Sequence, residues 1–535
     1  RTNMDNNYMI NKNGVQGSAV LGLYETTVRN VMNYDQIVNL NGAVELSEDL
    51  DLDFLVGANL KSREYAYQQI TSTDMFIFNF FDHSNFTTTT ADSYVSRENV
   101  YGAYANVTLG YKDWGFLSAS ARNDWTSTLE PENRSFLYPS VSLSVLPFDA
   151  LSISNQNLNF LKVRFGFGTS AGYPPPYSTR GSLATATKVF QTSGGTILNQ
   201  NAVSNFFANP DLTPEIHKEL ELGIEAKFFK NRVGVDVSLY TKDSEDLIID
   251  LDLDNSTGYS SSTVNSASIN NKGVEAILNV IPVQSRDFTW DVSASFSLLR
   301  SEVISIADGI DQIYVGGYVG RGNIAIPGLP YGILEGEVIR RDYGSLDGTD
   351  HTQVHWDDRT NYTPIVNANG GYQFLGYGVI GNPQPDFVYG VTNTLSYKWA
   401  TLRVQFDSQV GGDVFSTTNS TLLGRGILQE TDFDRFVPVV TKGLSADGTP
   451  NTTQTTANAH YWPNTGVFYD ENSIYDASVM RLREVSLSFV APKSFLNGTP
   501  FGNASLTLSA QNIWHYAWNT PSGTNFDPEV ISYGA

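Results

Sequence analysis

Residues 288–298 read FTWDVSASFSL. Phe288, Trp290, Val292, Ala294, Phe296 and Leu298 occupy every second position, and Thr289, Asp291, Ser293, Ser295 and Ser297 fill the gaps. A period of two is the mark of a β-strand with one apolar and one wet face. The same pattern returns along the chain. In 103–111 the residues Ala103, Ala105, Val107, Leu109 and Tyr111 share a face, and in 161–169 Leu161, Val163, Phe165 and Phe167 oppose Lys162, Arg164, Gly166 and Gly168. In 233–239 Val233, Val235, Val237 and Leu239 oppose Gly234, Asp236 and Ser238. Repeated alternation of this kind is how a membrane β-barrel is written in sequence.

The periodicity predicts about sixteen strands: 17–27, 34–46, 50–66, 100–112, 115–128, 135–146, 161–169, 215–229, 232–249, 266–281, 289–304, 332–341, 387–397, 401–410, 479–490 and 502–513. Many reach the 9–11 residues that a tilted strand needs to cross a bilayer, beyond the five or six usual in soluble sheets. Short turns such as Lys230-Asn231 and 398–400 alternate with polar excursions at about 172–214, 306–330, 342–384 and 411–472. Short turns on one side and long loops on the other is the outer-membrane pattern. Trp114, Tyr138, Trp399 and Trp514 fall near strand ends, where interfacial girdles belong.

Composition agrees. The 535 residues carry 33 Lys and Arg against 56 Asp and Glu, a net charge of −23, so the basic footprint of a nucleic-acid binder is missing. With no cysteine there is neither a disulfide framework nor a thiolate metal site. No apolar run reaches the length of a transmembrane helix. The mean hydropathy of −0.22 fits a barrel, because lipid-facing and lumen-facing residues average out. The chain opens on Arg1 with no signal peptide following, as expected of a processed envelope protein or a fragment.

Several segments, taken in order, resemble the SusC/RagA branch of TonB-dependent outer-membrane importers. They are LGYKDWGFLSASARNDWTSTL (109–129) with Arg122 and Asp124, YPSVSLS (138–144) with Pro139, and LKVRFGFGTSAG (161–172) with Arg164. The block 209–248 leads into ASINNKGVEAIL (267–278), which carries Asn271, Lys272, Gly273 and Glu275. GNPQPDFVYGVTNTLSYK (381–398), YDASVMRLREVSLSF (475–489) with Arg481, AQNIW (510–514) with Asn512, and DPEV (527–530) with Asp527 complete the series. The resemblance implies an all-β fold, a large antiparallel barrel of which these 535 residues hold about sixteen of twenty-two strands, as one barrel domain without its N-terminal plug or last strand. It implies energised import of a bulky nutrient, glycan or peptide, beneath a SusD-like surface lipoprotein lid, with TonB engaged through a preceding region, a Gram-negative outer-membrane location, no enzymatic activity and no cofactor. The motif residues are expected to be structural. A passive porin-type channel, a structural or secretion-associated scaffold barrel and a soluble adhesin remain as alternatives.

Other patterns carry less. Gly168-Thr169-Ser170-Ala171-Gly172 matches the nucleophile elbow, but Pro174, Pro175 and Pro176 follow where a helix would be required, so a strand end is expected. His351 and His355 sit among Asp342, Asp347, Asp350, Asp357 and Asp358 in a loop without helical period or calcium-loop spacing, so no metal site is predicted. Gly316–Gly322 lacks the Lys-Ser/Thr of a phosphate loop. Asp49, Asp51 and Asp53, and likewise Asp250, Asp252 and Asp254, put carboxylates on one strand face, expected as solvated extensions above the membrane. The loop aromatics Tyr173, Tyr177, Trp356, Tyr461, Trp462 and Tyr469 either stack on a sugar or peptide substrate or pack the loops together.

Overall fold

The computed structural model describes residues 2–12, 21–191, 197–318, 320–342, 356–464, 469–521, 524 and 526–531. Its dominant element is a sixteen-strand antiparallel sheet. Fifteen strands follow one another in chain order. They are β1 (Thr2–Lys12), β2 (Leu21–Ser47), β3 (Leu50–Met75), β4 (Phe86–Tyr111) and β5 (Gly115–Thr126). Next come β6 (Ser135–Val145), β7 (Leu158–Gly172), β8 (Glu215–Phe228), β9 (Val233–Asp252) and β10 (Ser261–Gln284). The last are β11 (Phe288–Ser305), β12 (Phe387–Tyr397), β13 (Ala400–Val410), β14 (Val479–Val490) and β15 (Ser505–Tyr516). The two-residue strand Phe206–Phe207 adds parallel to β10. No helix among the described residues is long and apolar enough to cross a membrane.

The register turns alternation along a strand into rows across the sheet. Trp290 faces Leu395, which faces Leu402, then Leu487, then Leu508. Two residues up, Val292 opens the row Asn393, Val404, Val485 and Ala510. Ala294 then opens Val391, Phe406, Leu482 and Trp514. The rows between are polar, for example Ser293, Thr392, Gln405, Glu484 and Gln511. Because side chains alternate faces, the sheet presents one apolar and one polar surface. The lone amide in the apolar rows, Asn393, accepts a hydrogen bond from the Trp290 indole at 3.2 Å.

Contacts divide the chain into two units: Arg1–Ser142, Phe167–Lys218 and Glu245–Ser266; and Leu143–Gly166, Glu219–Ser244 and Ala267–Ala535. In the first, β2, β3 and β4 run 26 or 27 residues. At about 3.3 Å per residue that is roughly 85 Å, far more than a bilayer requires. Their lower rows repeat the two-faced pattern, with Leu40, Val56, Ala105 and Ala121 on one side and Asn39, Gly57, Tyr104 and Arg122 on the other. Lys112 and Asp113 both take positive φ, 49° and 59°, in the tight three-residue loop 112–114 that joins β4 to β5.

In the second unit, the excursion between β11 and β12 folds into its own four-stranded sheet, Ile313–Tyr318, Arg321–Ala325, Ile333–Ile339 and Phe374–Gly381. Ile324, Ile333 and Val379 form one buried cluster, and Leu334, Val338 and Ile380 another.

Several expectations are corrected. The strand expected at 332–341 belongs to this loop sheet rather than the main one, and it is buried along nearly its whole length, which a wall strand with a lipid face is not. The two strands expected at 17–27 and 34–46 are one, β2; residues 13–20 lie outside the described set. β4 begins at Phe86, not near 100, because 86–99 is polar on both faces and shows no period. The segment 2–12 was not anticipated as a strand. The expected long loops are partly ordered sheet rather than irregular chain. Asp49–Asp53 lies at the tight β2–β3 hairpin, on the short-turn side, where Asp49 pairs Lys112 at 3.2 Å. His351, His355, Asp347 and Asp350 lie outside the described residues.

Candidate functional site

The polar face carries three charge clusters, each built from strand neighbours. In the first unit, Arg122 on β5 pairs Asp124 at 2.8 Å and donates to Tyr138 at 2.8 Å and to Asn59 at 3.1 Å. Tyr138 donates a short hydrogen bond to Asp124, and Tyr173 reaches the same carboxylate at 3.3 Å. The Tyr104 ring lies under the Arg122 guanidinium, 5.2 Å away. Tyr138 is thus a member of this polar cluster and not of an interfacial girdle, correcting the expectation from its position near a strand end. Trp399, in the β12–β13 turn and half exposed, does sit where a girdle would.

In the second unit, Arg164 on β7 reaches Asp236 at 2.6 Å, Ser238 at 2.7 Å and Glu221 at 3.3 Å. Gly223 makes room for it: a Cβ there would lie 2.6 Å from the Arg164 Cγ, at the root of the side chain. Gly273 of the Asn271-Lys272-Gly273 motif works alike, since a Cβ would meet the Tyr240 ring at 2.2 Å.

The third cluster joins segments 46 residues apart. Arg481 on β14 contacts Asp407 at 3.1 Å and Asp527 at 2.8 Å, with Glu529 at 3.6 Å. Arg483 pairs Asp407 and Glu529 and donates to Asn512 at 3.2 Å. Asn512 takes φ of 50° at the bulge in β15. The Arg481 side chain is only 6% exposed, so its charge stands on these partners.

The second and third clusters line one cavity of about 620 Å³, with Glu275, Ser295, Ser297, Gln405 and Gln409 on the wall between them. Asp236, Ser238 and Ser295, from the wet faces of their strands, all line it. Lys272, one residue from Gly273, falls on the opposite face. Pro139 lends its carbonyl to the Thr169 hydroxyl at 2.8 Å, a backbone role. Ser170 lies within β7, and strand rather than helix surrounds it, so it is no nucleophile elbow.

The loop aromatics each make local contacts. Tyr177, at φ of 71°, is exposed and accepts from the Arg97 backbone N–H at 3.3 Å. Trp356 packs on the Ile324 cluster. Tyr469 donates to the Tyr372 carbonyl at 2.8 Å, with the rings edge to face. Burial holds the Tyr469 and Tyr372 hydroxyls above their ordinary range. Tyr461 lies against Phe433 and His460, and Trp462 under Arg425 at 5.6 Å. Most of them pack the loops.

The sequence reading missed Glu221, Asp407, Arg483 and Glu529 as cluster members. Strand parity could have placed the first three on the wet face. It also missed the loop-sheet pairs Arg321–Asp470 and Arg341–Glu471 at 2.5 and 2.7 Å, which join residues 149 and 130 positions apart and leave no local signal. Here Asp470 and Glu471 also accept from the backbone N–H groups of Glu337 and Ile339. Burial and the nearby Asp470 raise the Glu337 carboxyl above its usual range. Among the described residues no group of three or more His, Cys, Asp or Glu is placed to hold a metal ion.

Residues 2–407 match the family model for the TonB dependent receptor-like beta-barrel. The chain belongs to the TonB-dependent receptor β-barrel family. TonB-dependent receptor P3 of Formosa agariphila is 26% identical over 446 residues, covering 79% of this chain and 41% of the relative. TonB-dependent receptor SusC of Bacteroides thetaiotaomicron is 21% identical over 420 residues, covering 74% and 38%. Among solved structures, that of the RagAB peptide transporter superposes with a TM-score of 0.73 at 18% identity, covering 97% of this chain and 55% of the matched one. The chain thus spans about two fifths of the length of these curated relatives. As a TonB-dependent receptor barrel it is an outer-membrane protein, its apolar rows facing lipid and its charge clusters facing the lumen.

Proposed function

We propose that this chain is the lumen wall of a TonB-dependent importer that carries a bulky nutrient, a glycan or a peptide, under a SusD-like surface lipoprotein. The observation that carries this reading is the likeness to the RagAB peptide transporter over 97% of the chain. The relative named SusC favours the same branch. The wall chemistry suits passage of solute. Arg164, Arg122, Arg481 and Arg483 each lie against carboxylates of the same face, so the lumen offers polar, largely self-neutralised walls rather than a deep single-sign trap. A wall that holds solute weakly at many points lets it leave. Energy coupling through TonB would come from a region beyond these residues.

The test is uptake of labelled glycans and labelled oligopeptides by cells expressing the complete receptor, with and without its partner lipoprotein and with the proton gradient collapsed. The reading expects uptake of one solute class, lost on collapse of the gradient and reduced without the lipoprotein. Uptake indifferent to the gradient would make the barrel a passive channel; no uptake of either class would favour a scaffold.

A further inference from the structure

We propose that the outer face of β7–β11 holds a phosphorylated, multiply acylated lipid of the outer leaflet, its phosphate on Lys272 and Arg300 and an acyl chain in the notch below. Strand parity sets the geometry. Arg164, Asp236 and Glu275 line the lumen cavity, so Phe165, Leu239 and Lys272, of opposite parity on the same strands, face outward. An open notch of about 470 Å³ is lined there by Phe165, Leu220, Leu222, Leu239 and Lys272, with Tyr240, Thr241 and the Arg164-paired Glu221 also bordering it. Those four apolar side chains are each more than 40% exposed, which in a membrane means contact with acyl chains.

Lys272 stands directly opposite Arg300 in the β10–β11 register. Like charges facing each other across a strand pair are unfavourable unless something negative joins them. Arg300 is half satisfied, by Asp386 at 3.3 Å and by neighbouring carbonyls. Lys272 has neither an ion pair nor a side-chain hydrogen bond among the described residues. Asp386 stands beside Arg300 alone; the other acids of this face lie one row farther out. Glu302 is opposite Asn270, and the Asn270 amide holds Asp243 at 2.6 Å.

The level matches a headgroup. Arg300 is twelve residues beyond Phe288, which opens β11 at its short turn, and a tilted strand crosses the hydrocarbon in about 9–11. The cations therefore sit just above the hydrocarbon, with the apolar notch below and Glu302 and Asp243 above. A phosphate joined to acyl chains satisfies both halves; a free anion satisfies only the upper one. This site lies outside the lumen and does not depend on the import reading.

The test uses the complete receptor in detergent, titrated with lipid A, dephosphorylated lipid A or inorganic phosphate and read by native mass spectrometry. A basic side chain near a membrane surface contributes about a fivefold change in binding of an anionic lipid. Lys272→Gln should weaken lipid A by about fivefold, and Lys272→Arg should retain it. Leu222→Thr, which leaves both cations in place, should weaken both lipid forms. Equal binding of the two lipid forms, or unchanged binding by Lys272→Gln, overturns the proposal. Displacement of lipid A by millimolar inorganic phosphate also overturns it, by showing a small-anion site.

Discussion

Val391 and Thr392 are consecutive on β12 but belong to opposite surfaces. Val391 lies in the row Ala294, Val391, Phe406, Leu482, and Thr392 in the row Ser293, Thr392, Gln405, Glu484. They sit near the middle of the eleven-residue strand, close to the bilayer midplane. Arginine at a lipid-facing midplane position costs roughly 2–4 kcal/mol, a thirtyfold to nearly thousandfold loss in the folding equilibrium. At Thr392 the guanidinium meets water and stands in the row of Glu484, so the change should stay within about 0.5 kcal/mol. The assay is denaturant titration of the receptor reversibly folded in vesicles, followed by tryptophan fluorescence. Equal effects of Val391→Arg and Thr392→Arg, or a larger effect at Thr392, would refute the face assignment. Val235 and Asp236, which offer the same contrast from sequence alone, make a poorer pair. Asp236 is the partner of Arg164 at 2.6 Å, so arginine there would oppose two cations.

Three further outcomes follow from the geometry. Arg481→Met strands Asp527, while Arg483 still holds Asp407, and should destabilise by about 3 kcal/mol, the low end for stripping one partner from a buried pair, seen as a lower denaturation midpoint. Trp290→Phe leaves the Asn393 carbonyl without its donor on the lipid face and should cost about 0.6–1.7 kcal/mol in the same titration, whereas Trp290→Phe combined with Asn393→Leu should recover it. The Glu130 carboxyl, hydrogen-bonded by Arg180 and by Thr179, is held down from its ordinary 4.5 to about 2. With the folded value below the unfolded one, this tie between loops is complete above about pH 4.5 and is lost as pH falls toward 2. Limited proteolysis near Arg180 should therefore rise on acidification in the wild type, and Glu130→Gln should show the higher rate at neutral pH.

Much of the wall was legible because its physics is local. Trp290 through Leu298 alternates for the same reason that Leu395, Leu402 and Leu487 fall opposite it: a period of two, repeated in register, gives one lipid face. Arg164, Arg481 and Asp527 were visible as motif positions and Asp236 as a wet-face residue, yet their pairings were not, because Asp236 and Asp527 lie 72 and 46 residues from their arginines and only strand pairing and chain return bring them near. The strand at Ile333–Ile339 was misplaced because an apolar run says "buried strand" without saying in which sheet. The upper halves of β2–β4 were cut short because both faces there are wet and the period disappears.

The two surfaces of this sheet face lipid and lumen, and labels along one strand can tell them apart. The chain has no cysteine, so single cysteines at Val292, Ser293, Ala294, Ser295, Phe296 and Ser297 can each carry a spin label in the complete receptor in bilayers. Oxygen, which concentrates in lipid, should relax the labels at 292, 294 and 296 strongly and those at 293, 295 and 297 weakly. Oxygen accessibility without a period of two, or greatest at the three serine positions, would contradict the account.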